Sequence, residues 1–273
     1  MAYSLLKGKK GIIFGALNEN SIAWKIAQKA HEEGAHLVLS NAPIVMKKPE
    51  IKEGLTLLTE QLGAKFIEAD ATSKEDLNHL FDESLSFFGT KIDFILHSIG
   101  MSKNVRKKRP YTDLDYGWIG EGWDISAVSF HKIMKAAWDR EAMNEWGSIL
   151  ALSYIAAQRV FPDYSDMADN KAYLESIARS FGYYWGEKYK VRVNTISQSP
   201  TPTTAGQGIK GFNNFLNYAS ALSPLGNASA EDCANYAVML FSDFTRKVTM
   251  QNLFHDGGFS SVGITQEVMD KFD

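Results

Sequence analysis

The sequence predicts an α/β fold: a doubly wound parallel sheet in a single domain. Three observations carry that expectation. Short apolar runs of strand length alternate with longer amphipathic stretches over almost the whole chain. The first run, Gly11-Ile12-Ile13-Phe14, stops at Gly15 and leads straight into a helix start. No repeat, low-complexity tract or composition break divides the 273 residues, and a hydrophobic content of 45% is ample for one core.

Taken in order, Gly11–Phe14 reads as a buried first strand and 16–20 as a loop. Ser21 has the character of an N-cap for a helix running through Ile22, Ala23, Ile26 and Ala27 to Gly34. A strand, a glycine turn and a helix N-terminus in this order suit either a phosphate-binding start or an ordinary βα turn, since only Gly15 remains of the usual glycines. His36–Ser40 is the second strand, and its end is where an adenosine ribose would lie. Asn41-Ala42-Pro43 stands there with no carboxylate, and Lys47 and Lys48 follow. The pattern then gives a helix over 50–62, a strand over 65–69 ending in Asp70-Ala71, a helix over 74–88, and a strand over 92–98 ending in Ile99-Gly100. Residues 101–123 read as a loop carrying Arg106-Lys107-Lys108-Arg109, and a helix is expected over 124–143. A fifth strand is expected over 148–153, a helix over 165–188, a sixth strand over 191–197, a helix over 230–241 and a last strand near 252–258. Right-handed crossovers bring Gly15, Asp70, Ser98 and the segment Ser153–Tyr164 to one edge, where such sheets bind ligands. The face of helix 165–188 formed by Ala172, Ile177, Phe181, Tyr184 and Trp185 reads as core or subunit packing.

The chemistry concentrates between Ser153 and Lys171. Tyr154, Tyr164 and Lys171 share this strand–loop–helix, and seven residues, about two helical turns, separate Tyr164 from Lys171. On that spacing they project from one face, and an ammonium there favours phenolate character and orients hydroxyls. Beyond the sixth strand, Ser199–Gly206 is rich in proline and threonine, and Phe212, Phe215 and Leu216 make the next helix apolar. Residues 203–221 are therefore expected to be a lid over an apolar substrate or a packed surface helix.

Several classes are excluded. A net charge of −3 gives no signal for nucleic acid or membrane binding. Cys233 is the sole cysteine, so no internal disulfide forms and a reducing compartment, the cytoplasm, is expected. The start of the chain lacks a signal-peptide core, and no apolar run has spanning length. The six histidines lack metal-ligand spacing, so no metal is expected.

These residues resemble the short-chain dehydrogenase/reductase superfamily, a Rossmann-like group, and within it the bacterial type I enoyl-acyl carrier protein reductases. The resemblance spans nearly the whole chain. It rests on Gly15 with Ser21-Ile22-Ala23, His97-Ser98-Ile99-Gly100, Ser153-Tyr154 with Arg159, Pro162, Tyr164 and Lys171, Val191-Arg192-Val193-Asn194, and Asp256-Gly257-Gly258-Phe259. The Tyr-x6-Lys spacing is the specific element, since carbonyl-reducing members of the superfamily use Tyr-x3-Lys.

The resemblance implies NADH-dependent reduction of enoyl thioesters in fatty-acid elongation, with NADPH as the alternative cofactor. It places Gly15, Ser21 and Ile22 at the pyrophosphate, Ala42 at the second-strand end, Asp70 and Ala71 at the adenine, and Ser98, Ile99 and Gly100 at the adjoining ribose. Thr201, Pro202, Thr203, Thr204 and Ala205 would flank the nicotinamide, and Lys171 would hold its ribose. Tyr164 would hydrogen-bond the thioester oxygen, Tyr154 would be the second active-site tyrosine, and Ser102 would touch substrate. A homotetramer and an acyl carrier protein partner are implied as well. Related enzymes carry a basic docking patch on the helix after the lid; this helix keeps Lys210 but has Asn213 and Asn214, and the run 106–109 offers another patch. Gln198-Ser199 and Pro202 depart from the family's Ala-Gly and arginine. Two further readings follow the same residues: a carbonyl reductase of this fold, and a dinucleotide-sensing protein without catalysis.

Overall fold

The computed structural model of the chain describes residues 3–204, 206 and 211–272. The expected contact at Ala205, and Lys210, lie outside them. Seven strands form one sheet: β1 (Lys10–Phe14), β2 (His36–Asn41), β3 (Lys65–Glu68), β4 (Ile92–His97), β5 (Met143–Ser153), β6 (Arg192–Gln198) and β7 (Asn252–His255). The order is β3-β2-β1-β4-β5-β6-β7 and every pairing is parallel. The direction of winding reverses between β1 and β4, which sets a crevice at their C-terminal ends.

Among the described residues eleven α-helices connect or flank these strands: α1 (Ile22–Glu32), α2 (Pro43–Met46), α3 (Pro49–Gln61), α4 (Lys74–Phe88), α5 (Lys103–Arg106), α6 (Tyr116–Trp123), α7 (Ser129–Asp139), α8 (Met167–Tyr189), α9 (Phe212–Leu222), α10 (Ala230–Phe241) and α11 (Gln266–Met269). The central strands β1 and β4 are largely apolar on both faces because helices cover both. Adjacent residues of β1 show the division. Ile12 joins a core with Phe81, Phe130 and Trp185, whereas Ile13 joins a second core with Trp24, Leu39 and Phe241. Serines start the helices as the sequence implies: Ser21 accepts from Trp24 N, Ser73 from Asp76 N, and Ser229 forms a capping box with Asp232. Among the described residues no helix is long and apolar enough to cross a membrane.

Two expectations need correction. Residues 101–123 are largely helical, since α5 and α6 lie there and α6 continues through a π-helical turn, Asp124–Val128, into α7. Three glycines hide the helical signal of α6. Gly122 packs closely on α8, where a Cβ would sit 3.2 Å from Asn170 Nδ2. The helix expected to reach 143 stops at Asp139, Glu141 takes a left-handed φ of 47°, and β5 begins at Met143, five residues earlier than expected. Pairing of β5 with β4 then slips between Ile92 and Phe94, and Trp146 absorbs the irregularity with a φ of 65°.

Candidate active site

The crevice is closed on one side by the turn after β1. Gly15 has φ 94°, and a Cβ on it would lie 2.1 Å from the Ser98 carbonyl, so only glycine lets β1 and β4 end this close together. Ser21 Oγ accepts from Leu17 N at 3.2 Å and donates to the Asn18 carbonyl at 2.8 Å, which fixes the turn ahead of α1. Asn18 Nδ2 donates to Thr204 Oγ1 at 2.9 Å, so the segment after β6 reaches across to this turn.

Ser153 ends β5, and the chain makes short 3-10 turns at Ile155–Ala157 and Pro162–Tyr164 before α8. Tyr164 therefore precedes the helix. Ser165 breaks the path with φ 51° and ψ −140°, so the turn at Pro162, not helical periodicity, aims the Tyr164 ring. The rings of Tyr154 and Tyr164 lie 5.1 Å apart at 53°, and both are buried. Burial pushes both phenols above their ordinary value; Tyr164 and Asp256 add to the effect on Tyr154. The expected phenolate character is not found: burial alone acts on the Tyr164 phenol and raises it, so Tyr164 is a neutral hydroxyl. The Tyr154 hydroxyl is buried without a hydrogen-bond partner among the described residues.

Lys171, two turns into this unit, is 9% exposed and donates from Nζ to the Leu152 carbonyl at 2.7 Å. Burial lowers its pKa from 10.5 to about 8, against the opposing pull of Glu175. Glu175, itself buried, accepts from Ser153 Oγ at 2.7 Å and Gln158 Nε2 at 3.4 Å. It thus ties the strand end that carries Tyr154 to α8 one turn beyond Lys171. His97 lies fully buried with Nε2 2.8 Å from Ser129 Oγ, and burial together with the Lys171 charge lowers its pKa to about 3. The imidazole is neutral and adds no second cation. Gly100 borders Lys171: a Cβ there would lie 3.8 Å from Nζ, an ordinary contact distance.

The remaining expected residues divide. Gly15, Ser21, Ile22, Ser98, Ile99 and Gly100 gather at the β1–β4 crevice by pairing and turn geometry. Asp70 and Ala71 follow β3, where Asp70 Oδ1 accepts from Thr72 N and Oγ1. Ala42 caps α2, and its neighbour Asn41 donates to the Ala16 carbonyl at 2.8 Å, which ties the β2 end to the glycine turn. Ser102 is 2% exposed and its hydroxyl is committed: it donates to Asp166 Oδ1 at 2.6 Å and accepts from Val105 N. That hydroxyl is part of the wall, not a group presented to a ligand. Gln198 and Ser199, the departures from the family pattern, have structural partners. Gln198 donates to the Ala228 carbonyl and bonds His255 Nδ1, and Ser199 accepts from Ala228 N. Thr201 is buried and donates to the Ser199 carbonyl, whereas Pro202 and Thr204 are exposed and Thr203 is partly so.

An apolar cavity of about 550 Å³ opens beside the tyrosines, lined by Ile155, Phe161, Phe215, Tyr218, Phe259 and Val262 among others. Helix α9 closes on it: Ala219 shares a cluster with Tyr154 and Tyr164, and Phe215 meets Phe161 at 5.7 Å between ring centres. Among the described residues no group of acids, histidines or cysteines is arranged to hold a metal. The residues that sequence reasoning missed are Glu175, Asn18 and the Asn104–Asp166 pair. The only signal was an acid four residues after Lys171, on its helical face.

The chain matches the family model described as enoyl-(acyl carrier protein) reductase over residues 15–260. It is 36% identical to the NADH-named enoyl-[acyl-carrier-protein] reductase FabI of Rickettsia bellii over 96% of this chain and 98% of that protein. Among solved structures, FabI in complex with NADH from Alistipes finegoldii is 58% identical, with a TM-score of 0.95 over 99% of this chain and 94% of that one. The NADH-named reductase of Aquifex aeolicus is 30% identical, with a TM-score of 0.87 over 96% of this chain and all of that one.

The buried Lys171 makes stability depend on pH. Its folded pKa of about 8 lies below its ordinary 10.5. Below pH 8 both states are charged and the folded state bears the whole penalty. Between pH 8 and 10.5 the unfolded chain keeps a proton the folded chain has lost, so stability rises with pH. Lys171→Met should remove this component, roughly 2–3 kcal/mol accumulated from pH 8 to 10. Denaturant melts of both proteins across that range read the difference, and parallel curves would refute it.

Proposed function

The chain belongs to the enoyl-(acyl carrier protein) reductase family, and on that premise we propose how its own residues carry out NADH-dependent reduction of the trans-2 double bond of enoyl thioesters borne by acyl carrier protein. The single observation that carries the reading is a neutral, buried Tyr164 packed on Tyr154, whose ring meets the cavity wall at Phe161, one short unit from a buried Lys171. The buried Lys171 ammonium and the unpartnered Tyr154 hydroxyl fit a cofactor ribose and a thioester.

NADH, when bound, supplies a hydride to the β-carbon of the substrate. Everything else falls to the protein. Ser21 and Ile22 would present the first amides of α1 to the pyrophosphate, where helix N-termini favour anions. Gly15 would let the backbone approach it, and Asp70 and Ala71 would border the adenine. The Lys171 ammonium would donate to the nicotinamide ribose, and Thr201 to Thr204 would flank the ring. Tyr164 donates its proton to a hydrogen bond with the thioester oxygen, where negative charge collects as the enolate forms. Tyr154 supplies a second hydroxyl at the same place. The enolate then collapses with a proton from solvent at the α-carbon. Residues 203–221, with α9 as their body, act as the lid over the acyl chain.

The same reading extends to assembly and location. Tyr173 and Tyr184 on α8 are exposed beside Trp138 of α7, around a groove of about 420 Å³, whereas Leu174, Ile177 and Trp185 of the same helix are core. Ala172 is exposed and contributes nothing to that core. The aromatic face is therefore divided between core and surface, and its outer part supports a homotetramer working in the cytoplasm. Light scattering at micromolar concentration should return about four times the monomer mass; a monomer would refute the assembly.

The activity test follows reduced nicotinamide absorbance with crotonyl and 3-ketoacyl thioesters, each with NADH and then NADPH. Crotonyl thioester should be reduced, most efficiently with NADH, and the ketoacyl substrate should not. Tyr164→Phe should lower turnover by roughly 10²-fold with NADH affinity unchanged. Faster turnover of the ketoacyl substrate, or a wild-type rate in Tyr164→Phe, would overturn the reading.

A further inference from the structure

The segment 103–109 contributes five cations, and the structure separates them. Lys103 pairs with Glu121, and Arg109 pairs with Asp113 at 3.0 Å while lying 5.5 Å from the Trp118 ring centre. The neighbouring carboxylates are also committed. Asp115 caps α6, Asp124 holds Lys132, Asp166 accepts from Ser102 and Asn104, and Asp169 accepts from Tyr111. Arg106, Lys107 and Lys108 are exposed, and none has an ion-pair partner among the described residues. On a chain of net charge −3, three adjacent exposed cations are a local exception.

Their mount is rigid and close to the chemistry. Ser102 and Asn104, at the start of α5, bond Asp166 at 2.6 and 2.9 Å, and Ser165 Oγ donates to the Arg109 carbonyl at 3.2 Å. Residues 165 and 166 directly follow Tyr164, so α5 is bolted to the segment that aims the catalytic phenol. Helix α9, on the lid, has no charged residue. Helix α10 begins with two acids.

Building on the enoyl-thioester reading, we propose that the acidic carrier protein docks on α5 through Arg106, Lys107 and Lys108, and that this surface delivers the thioester to Tyr164. Charge complementarity selects this occupant. The cations at a rim act by steering and holding an acidic partner, so their effect is on association and is screened by salt.

The test is the triple variant Arg106→Gln, Lys107→Gln, Lys108→Asn. Asparagine suits position 108, whose φ is 57°. Two substrates are compared at low and high salt: crotonyl-acyl carrier protein, and the uncharged N-acetylcysteamine thioester of crotonate. For the carrier substrate kcat/KM should fall roughly tenfold at low salt, mostly through KM, with a flatter salt dependence. The small thioester should be reduced at the wild-type rate, which also shows that the variant is folded. An unchanged carrier-substrate efficiency would overturn the docking surface alone, since wild-type turnover would still stand. Equal losses on both substrates would mean that the cluster shapes the site and would likewise overturn docking. A wild-type protein that reduces neither thioester would overturn both the docking and the reading beneath it.

Discussion

A buried ammonium is the constraint on which this site depends. Taking Lys171 out of water is unfavourable by several kcal/mol unless its charge is met inside the protein. The Leu152 carbonyl meets it directly and the Glu175 carboxylate meets it through space. Both partners belong to the β5–α8 unit, and Glu175 also holds Ser153 and Gln158. The arrangement that keeps the lysine charged near neutrality therefore fixes the strand end carrying Tyr154. Its neighbours are kept neutral by the same burial: His97 loses its proton and Tyr164 retains its own. One positive charge thus faces the crevice beside two hydroxyl donors.

Much of this was legible in the sequence, for identifiable reasons. The strands β1, β2 and β4 are largely apolar on both faces, and α4 and α10 start at serines with acids in the first turn, so their signals are local. Gly15 and Lys171 were found because a turn and a charge each stand out. The misses are tertiary in origin. Helix α6 exists because Asp115 caps it and Gly122 lets it approach Asn170, and neither fact shows in a propensity window. Periodicity misplaced Tyr164 because the left-handed Ser165 interrupts the path before α8. Its protonation state was misread because spacing shows a cation seven residues away but not the burial of the phenol itself.

The departures from the family pattern acquire a physical sense. Gln198 and Ser199 replace small residues, yet their polar groups turn toward residues 228–229 and His255 and serve the end of the sheet. Asn18 reaches Thr204, so the segment beyond Pro202 still closes over the glycine turn without an arginine in it. The basic character absent from the described part of the lid reappears on α5, whose attachment to residues 165 and 166 joins the outer surface to the reacting centre.

The central claim is that Tyr164 acts as a neutral hydrogen-bond donor held in a dry site. The most direct test is the single-turnover rate of NADH oxidation at saturating crotonyl thioester, followed from about pH 6 to about pH 10. A buried phenol that keeps its proton gives a rate that does not rise across this range. A rate climbing roughly tenfold per pH unit to a plateau below about pH 9 would show that a phenolate carries the step, and would contradict the account.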